Sequence, residues 1–156
     1  MAETPQPLYW EDVRVGDALP TLEVTIGAAQ LFQLSAVMHL AHRIHFDLDW
    51  ARHEGYPHCV IHAPFHGEVL VQMVRNWAGI GSWMRRFNYQ NRNYAVLGET
   101  LRGEGTVTAK HQDQGYSLVE LELAVTKATE GGRVTTAPGG ATLALPTRSA
   151  PVPIPT

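Results

Sequence analysis

Seven of the eight histidines of this 156-residue chain lie within residues 39–66, where their spacing could support acid–base or metal chemistry. An imidazole titrates near neutral pH, so a histidine is well suited to activate water as a general base. His39, His42 and His45 are also three residues apart. On a helix, three imidazoles at this spacing would spread over about 120 degrees, which zinc ligation tolerates. The segment therefore admits two kinds of chemistry.

Length and composition indicate one globular domain. A chain of 156 residues is about the size of one domain. Its 12 Lys and Arg against 15 Asp and Glu give a net charge of -3, which disfavours nucleic acid and anionic membrane surfaces as partners. No apolar run approaches the roughly 18 residues of a membrane span. A single cysteine, Cys59, and a start without a basic and apolar leader predict a cytoplasmic protein.

Hydrophobic periodicity predicts three helices in the first half of the chain. Apolar residues at helical spacing predict a helix over residues 28–38. Asp47 can act as the N-cap of a short helix over residues 48–54, because its carboxylate can accept a free backbone N–H. The strongest pattern predicts a buried helix over residues 64–78, with a proline in the first turn and a glycine after the end.

The second half of the chain is predicted to be an antiparallel meander. Val119, Leu121, Leu123 and Val125 alternate with polar or small residues, as in a strand with one buried face. Glycine-containing segments separate the runs and supply the flexible residues that hairpin turns need. With one earlier strand, the predicted strands are 22–26, 84–90, 99–111, 116–129 and 133–145.

One long buried helix followed by antiparallel strands predicts an α+β fold. The sheet must curl around the central helix to cover it, which describes a hotdog fold. We expect a single hotdog domain over residues 1–146, beginning with a loose arm over residues 1–7. Residues 147–156 are expected to form a proline-rich tail, because prolines cannot maintain a strand ladder.

Five short segments carry a family resemblance. They are residues 9–17 (YWEDVRVGD), 42–47 (HRIHFD), 54–57 (EGYP), 60–65 (VIHAPF) and 96–101 (VLGETL). Together they resemble the MaoC-like dehydratase/hydratase family of hotdog proteins. Residues 42–47 are the most specific, since they are similar to a motif of the mesaconyl-CoA hydratase and hydroxyacyl-thioester dehydratase branch. The resemblance implies a lyase that hydrates an enoyl-CoA or dehydrates a 3-hydroxyacyl thioester, and it implies no cofactor and no metal.

The resemblance also implies roles for individual residues. His45 would be the base that activates water. Because Leu40 replaces the polar partner that the family usually has, we expect the neighbouring His42 to be the helper, with His39 as the next candidate. The backbone N–H of Ala63, at the start of the central helix, would bind the developing enolate oxygen. The expected substrate contacts are Arg43, His39, His62 and Gly67.

Two positions differ from the family pattern. Leu40 stands five residues before His45, where the family usually has Asp or Asn, and Ala63 stands where the family has Gly. Leucine cannot complete the usual dyad with the histidine. The alternative function is therefore a catalytically silent, acyl-CoA-binding subunit of a heteromeric hydratase. A thioesterase would need a carboxylate on the central helix, where Glu68 lies, and is the weaker alternative.

Several of these residues also have structural interpretations. An ion pair with Asp47 or Asp49 explains Arg43 as well as a substrate carboxylate or a CoA phosphate does. Asp47 is better explained as an N-cap than as a catalytic acid. The family resemblance explains His42 and His45 without zinc, which disfavours a metal site.

A lone hotdog leaves a sheet edge and one side of its central helix uncovered. We therefore expect a dimer with a continuous sheet, formed either by two copies of this chain or with a second hotdog subunit. The expected substrate is an acyl-CoA or acyl-carrier-protein thioester, and we expect neither a nucleic acid nor a membrane as a partner.

Overall fold

The computed structural model describes residues 7–153, and these residues form one antiparallel sheet with three α-helices. The strands are β1 (Leu22–Thr25), β2 (Trp83–Tyr89), β3 (Thr100–Asp113), β4 (Tyr116–Thr129) and β5 (Gly132–Ala144). The helices are α1 (Ala28–Val37), α2 (Leu48–His53) and α3 (Ala63–Ala78). The predicted arm lies outside the described residues except for residue 7, as do the last three residues of the predicted tail.

The five strands are ordered β1-β3-β4-β5-β2, and all neighbouring pairs are antiparallel. β3 and β4 are joined by a two-residue turn in which Gln114 and Gly115 both have positive φ angles, 50° and 81°. A two-residue turn with this geometry matches the right-handed twist of the flanking strands. The predicted meander is confirmed for β3, β4 and β5, with strand ends shifted by at most two residues. It is wrong for β2, which pairs with β5 at the far edge of the sheet instead of with β3.

The sheet wraps around α3. The helix contacts β1, β3, β4 and β5, and its side chains Leu70, Met73 and Val74 are at most 1% exposed. Gly103 and Gly105 of β3 lie where Met73 crosses the strand, and a Cβ at either glycine would lie only 3.2–3.3 Å from the Met73 side chain. The absence of side chains there allows the helix to approach the sheet closely. The α+β hotdog predicted from the sequence is confirmed.

The helix predictions are also close to the observed ends. α3 begins at Ala63, one residue before the predicted start, and ends before Gly79, whose φ is 68°. The Asp47 carboxylate accepts the Trp50 N–H at 3.0 Å, which confirms the predicted N-cap of α2. No helix among residues 7–153 is long and apolar enough to cross a membrane.

The chain between α1 and α3 is attached to the rest of the domain by a short stretch of strand-like pairing. The Ile61 N–H donates to the Ala95 carbonyl at 2.8 Å, and the Leu97 N–H donates to the Cys59 carbonyl at 2.8 Å. This pairing fixes residues 59–61 immediately before α3. Because Ile44 and His45 hydrogen bond to Val60, this pairing also fixes the position of His45.

Candidate active site

Hydrogen bonds to the backbone hold the imidazole of His45 in one orientation. His45 ends a short 3-10 turn over residues 43–45, and His42 caps this turn by accepting the Ile44 N–H at 3.3 Å. The Ile44 carbonyl accepts the Val60 N–H at 2.9 Å, and the Val60 carbonyl lies 2.8 Å from Nδ1 of His45. Because a carbonyl oxygen can only accept, Nδ1 carries the proton, and Nε2 of the neutral ring keeps a free lone pair.

His62 supports the ring of His45 from one side. The two imidazoles are stacked, with ring centroids 3.7 Å apart and planes inclined by 20°. The His62 side chain is fully buried, and its Nε2 lies 2.9 Å from Oγ of the buried Ser35. Ser35 in turn donates to the Leu31 carbonyl in α1 at 3.2 Å. The ring that supports His45 is thus fixed by α1.

The environment keeps His62 neutral. Burial, with a smaller contribution from the nearby His45, lowers the pKa of His62 to about 4. Since the one hydroxyl proton of Ser35 is directed to Leu31, Nε2 of His62 donates to Ser35 and Nδ1 is an acceptor. This Nδ1 has no hydrogen-bond partner among the described residues. An unpaired acceptor therefore lies beside His45.

His45 is also held in its base form. Burial lowers the pKa of its imidazole below the usual value, the hydrogen bond to the Val60 carbonyl opposes this shift, and the charge of His42 adds to it. The net effect is a neutral ring at pH 7. A neutral imidazole with a free Nε2 is the form that can accept a proton from water.

The N-terminus of α3 lies next to this base. His62, on which His45 stacks, is the N-cap residue of α3, and Ala63 is its first residue. The N–H groups of the first helical turn lack intrahelical acceptors, and they form the positive end of the helix dipole. Pro64 has no N–H, and the Phe65 N–H already donates to the His62 carbonyl at 3.0 Å, so the Ala63 N–H is the first donor at this end of the helix. Ala63 itself is exposed.

Three other predicted site residues, His42, Arg43 and His39, lie close to His45 in the sequence and differ in their contacts. The His42 ring centroid is 6.3 Å from that of His45, and its Nε2 is 3.8 Å from a carboxylate oxygen of Glu54. Arg43 forms an ion pair with Asp47 at 2.6 Å. His39 is exposed and has a positive φ of 52°.

Gly67, another predicted substrate contact, is buried on α3 against Tyr89 of β2. A Cβ at this position would lie 2.5 Å from Cε1 of Tyr89. The ring of Tyr89 therefore occupies the space beside Gly67. Gly67 lies one turn of α3 after Ala63, and its contact with substrate stays a prediction.

A pocket of about 370 Å³ adjoins His45. Its volume falls within the range of about 300–1,000 Å³ that is usual for small-molecule sites. Side chains from α1, from the turn around His45 and from the paired segment before α3 surround it. The lining residues are Ala28, Ala29, Leu31, Phe32, His45, Phe46, Cys59 and Leu97.

A larger cavity, of about 850 Å³, lies elsewhere, between the outer face of α3 and the start of β2. It is lined by Glu68 but by no histidine. The carboxylate on which a thioesterase reaction would depend therefore faces a different space from His45. The lining continues from α3 through residues 79–82 to Trp83 and Met84, at the start of the edge strand β2.

The three evenly spaced histidines do not share a helix. α1 ends at Val37, His39 follows in a left-handed conformation, and residues 43–45 form a separate turn. The helical geometry considered for zinc is therefore wrong. Among residues 7–153, no group of three or more His, Cys, Asp or Glu side chains is arranged to hold a metal ion.

A family model decides where this chain belongs. The model of hydroxyacyl-thioester dehydratase type 2 matches residues 12–97, which is more than half of the chain. The chain belongs to this family. The match confirms the resemblance seen in the sequence. In this member of the dehydratase family it includes all of α1, α2 and α3.

Individual relatives agree with this assignment. The dehydratase-family chain is 40% identical over 76 residues to the mesaconyl-C(4)-CoA hydratase of Chloroflexus aurantiacus. That match covers 48% of this chain but 27% of the relative, so the chain corresponds to about a quarter of the relative's length.

Solved structures show the same fold. The (R)-hydratase from A. caviae involved in PHA biosynthesis superposes with a TM-score of 0.78 at 20% identity, over 87% of this chain and 99% of the other. A chain of the ChsH1-ChsH2 complex from Mycobacterium tuberculosis superposes with a TM-score of 0.70 at 18% identity, over 85% and 98%. At these identities the likeness shows the hotdog fold.

Sequence reasoning did not assign a role to Ser35 or to the aromatic residues beside the pocket. Ser35 occurs among apolar residues on the buried side of α1, where a polar side chain needs a hydrogen-bond partner. That position was a usable signal. Phe32 and Phe46 gave no such signal, because their contact depends on how the segment after α1 folds back.

Proposed function

We propose that this chain hydrates the double bond of an enoyl thioester, and dehydrates a 3-hydroxyacyl thioester in the reverse direction, with His45 as the general base. One observation carries the proposal. The imidazole of His45 stacks on His62, the N-cap residue of α3, so the free basic nitrogen lies beside the start of the helix, whose first N–H is that of Ala63. The reaction needs both groups: a base for water, and donors for the enolate oxygen.

The proposed mechanism uses these groups in sequence. Nε2 of His45 takes a proton from water, and the resulting hydroxide adds to Cβ of the thioester. The electron pair of the double bond moves toward the thioester carbonyl, and the N–H of Ala63 stabilises the negative oxygen. The imidazolium of His45 then returns a proton to Cα, which closes the cycle without net loss of a proton. His42 is the proposed helper, because its ring centroid is 6.3 Å from that of His45 and its Nδ1 caps the turn that carries His45.

The test is hydration of crotonyl-CoA and of a longer enoyl-CoA by the purified chain. The reaction is measured as the loss of absorbance of the conjugated thioester. We expect His45→Ala to lower kcat by about 100-fold or more, because general-base catalysis contributes about 10²–10⁴-fold. His53→Ala is the matched control, since His53 is an exposed histidine of α2 outside the pocket. Full activity of His45→Ala would refute the assignment.

Leu40 supports a second candidate function, a silent acyl-CoA-binding subunit that needs an active partner. The backbone N–H of Leu40 donates to the Ser35 carbonyl at 3.0 Å, and its side chain offers no polar group to His45. Activity that is absent from the pure chain, but appears on addition of another hotdog subunit, would favour this candidate. Activity of the pure chain would exclude it.

We also propose that the working unit contains two hotdog chains. β2 is an edge of the sheet, and the large cavity lies beside it. An unpaired edge strand is a site where a second sheet can add. The ChsH1-ChsH2 complex, which has this fold, contains two different chains. Light scattering of the pure chain would show whether it pairs with itself, and a monomer at micromolar concentration would oppose a homodimer.

A further inference from the structure

We propose that the pocket beside His45 binds the hydrocarbon chain of an uncharged acyl group and rejects acyl groups that end in an ionised carboxylate. This inference rests on the proposed function only in placing a thioester at His45. It adds the class of acyl group, and Phe32 as a residue that determines it.

The lining of the pocket is almost entirely apolar. Six of its eight residues carry aliphatic or phenyl side chains, and the two exceptions are His45 and Cys59. Burial raises the pKa of the Cys59 thiol, so that side chain stays uncharged. His45 is neutral for the reasons given above. The pocket therefore offers contact surface to a hydrocarbon chain and no charge to an anion.

Two phenyl rings stand at the outer side of the pocket. Phe32 of α1 and Phe46 meet edge to face, with ring centroids 6.4 Å apart. They are 61% and 43% exposed, which is unusual for side chains of this size. An acyl chain lying between them and His45 would remove part of this apolar surface from water. The removal of this apolar surface from water would strengthen acyl binding.

Arg43, a cationic residue two positions before His45, has its partners outside the pocket. The guanidinium of Arg43 hydrogen bonds to Asp47 through two nitrogens, at 2.6 and 3.0 Å, and lies 4.2 Å from the centre of the Trp50 ring. A guanidinium with both a carboxylate and an aromatic partner is already satisfied. It does not line the pocket. A carboxylate at the end of the acyl group would therefore meet no counter-charge in the pocket.

These contacts predict a clear order of affinities. Burying a methylene group in an apolar site strengthens binding by about fourfold. An unpaired carboxylate in the same site loses its hydration without compensation, which costs at least as much as several methylene groups provide. Acyl groups of equal length should therefore differ by about 100-fold or more when one of them ends in a carboxylate.

The experiment measures binding of saturated acyl-CoAs, which cannot be hydrated, by calorimetry. We expect affinity to rise about fourfold per methylene from butanoyl-CoA to hexanoyl-CoA, and adipoyl-CoA to bind about 100-fold more weakly than hexanoyl-CoA. Adipoyl-CoA binding as tightly as hexanoyl-CoA would overturn the inference. Because no turnover is needed, a chain that binds hexanoyl-CoA selectively but hydrates no enoyl-CoA would refute the proposed catalysis while supporting the pocket.

A charge placed at the pocket provides the residue-level test. Phe32→Lys should weaken hexanoyl-CoA binding by about tenfold and strengthen adipoyl-CoA binding by a similar factor. Val37→Lys is the matched control, because Val37 lies on the same helix, is 77% exposed and does not line the pocket. Both substitutions are on the surface, so both proteins should fold. Equal behaviour of the two variants would show that Phe32 does not determine the acyl class.

Discussion

The imidazole of His45 lies flat against that of His62, with ring centroids 3.7 Å apart. Two histidines this close cannot both be protonated without strong repulsion. His62 avoids the conflict because burial lowers its pKa to about 4. His62 is therefore a neutral partner for His45 at pH 7. The hydrogen bond from His62 to Ser35 holds the His62 ring in place.

Removing the hydroxyl of Ser35 should loosen the support of His45. In Ser35→Ala the Nε2–H of the buried His62 loses its acceptor, so we expect the free energy of unfolding to fall by about 1–3 kcal/mol. We also expect kcat to fall by about tenfold, with little change in KM. Steady-state kinetics and urea unfolding of the same preparation measure both effects.

Ser82→Ala is the control for this substitution. Ser82 also donates to a carbonyl near the end of a helix, that of Gly79 at 2.9 Å, but it lies far from His45 along α3. It should affect stability without changing kcat. A fall in kcat of equal size in both variants would show that Ser35 acts only through general stability.

Acid should destabilise the folded chain through two buried histidines. His62 and His66 are at most 1% exposed, and burial lowers the pKa of each from 6.5 to about 4. Between these values the unfolded chain binds protons that the folded chain does not. Stability is therefore fully present above pH 6.5 and falls as the pH drops toward 4, by up to about 1.4 kcal/mol per pH unit for each ring.

Urea unfolding at several pH values measures this slope, and one variant isolates His66. His66→Gln replaces the ring with a group that does not titrate but can still hydrogen bond to Thr136, the partner of Nδ1 at 2.9 Å. The slope between pH 6.5 and 4 should then be about half as steep. An unchanged slope would mean that His66 is protonated equally in both states.

A methyl group at Gly67 should strain the contact between α3 and β2. The added Cβ would lie 2.5 Å from the Tyr89 ring, so we expect Gly67→Ala to lower the free energy of unfolding by about 1–3 kcal/mol. In a Tyr89→Leu background the loss should be smaller, since the ring is gone. Equal losses in both backgrounds would place the strain elsewhere. Gly131→Ala is the control, because nothing lies within 4 Å of that Cβ.

The sequence predicted the elements better than the contacts between them. The period of the apolar residues was enough to locate α3, because one face of that helix is buried along its whole length. The Asp47 cap was predictable because it depends on residues three apart. The stacking of His45 on His62 was not, since it joins residues 17 positions apart through the Val60 hydrogen bonds.

The pocket was similarly hidden. Phe32 belongs to the helical pattern of α1, and Phe46 follows the 3-10 turn, yet periodicity gives no reason for two large apolar side chains to be exposed together. Their meeting depends on the fold of residues 38–45, where the left-handed His39 redirects the chain. A single residue with a positive φ is not a pattern that hydrophobic periodicity detects.

The attachment of α1 has a consequence for how activity fails under stress. α3 is packed against four strands, whereas the principal contacts of α1 and α2 with other elements are made to the short turn that carries His45. Elements with few tertiary contacts open at a lower free energy than the whole domain. We therefore expect amide hydrogens of α1 to exchange faster than those of α3, and hydration to cease at urea concentrations where the sheet is intact. Inactivation that coincides with global unfolding would show that α1, α2 and the sheet form one cooperative unit.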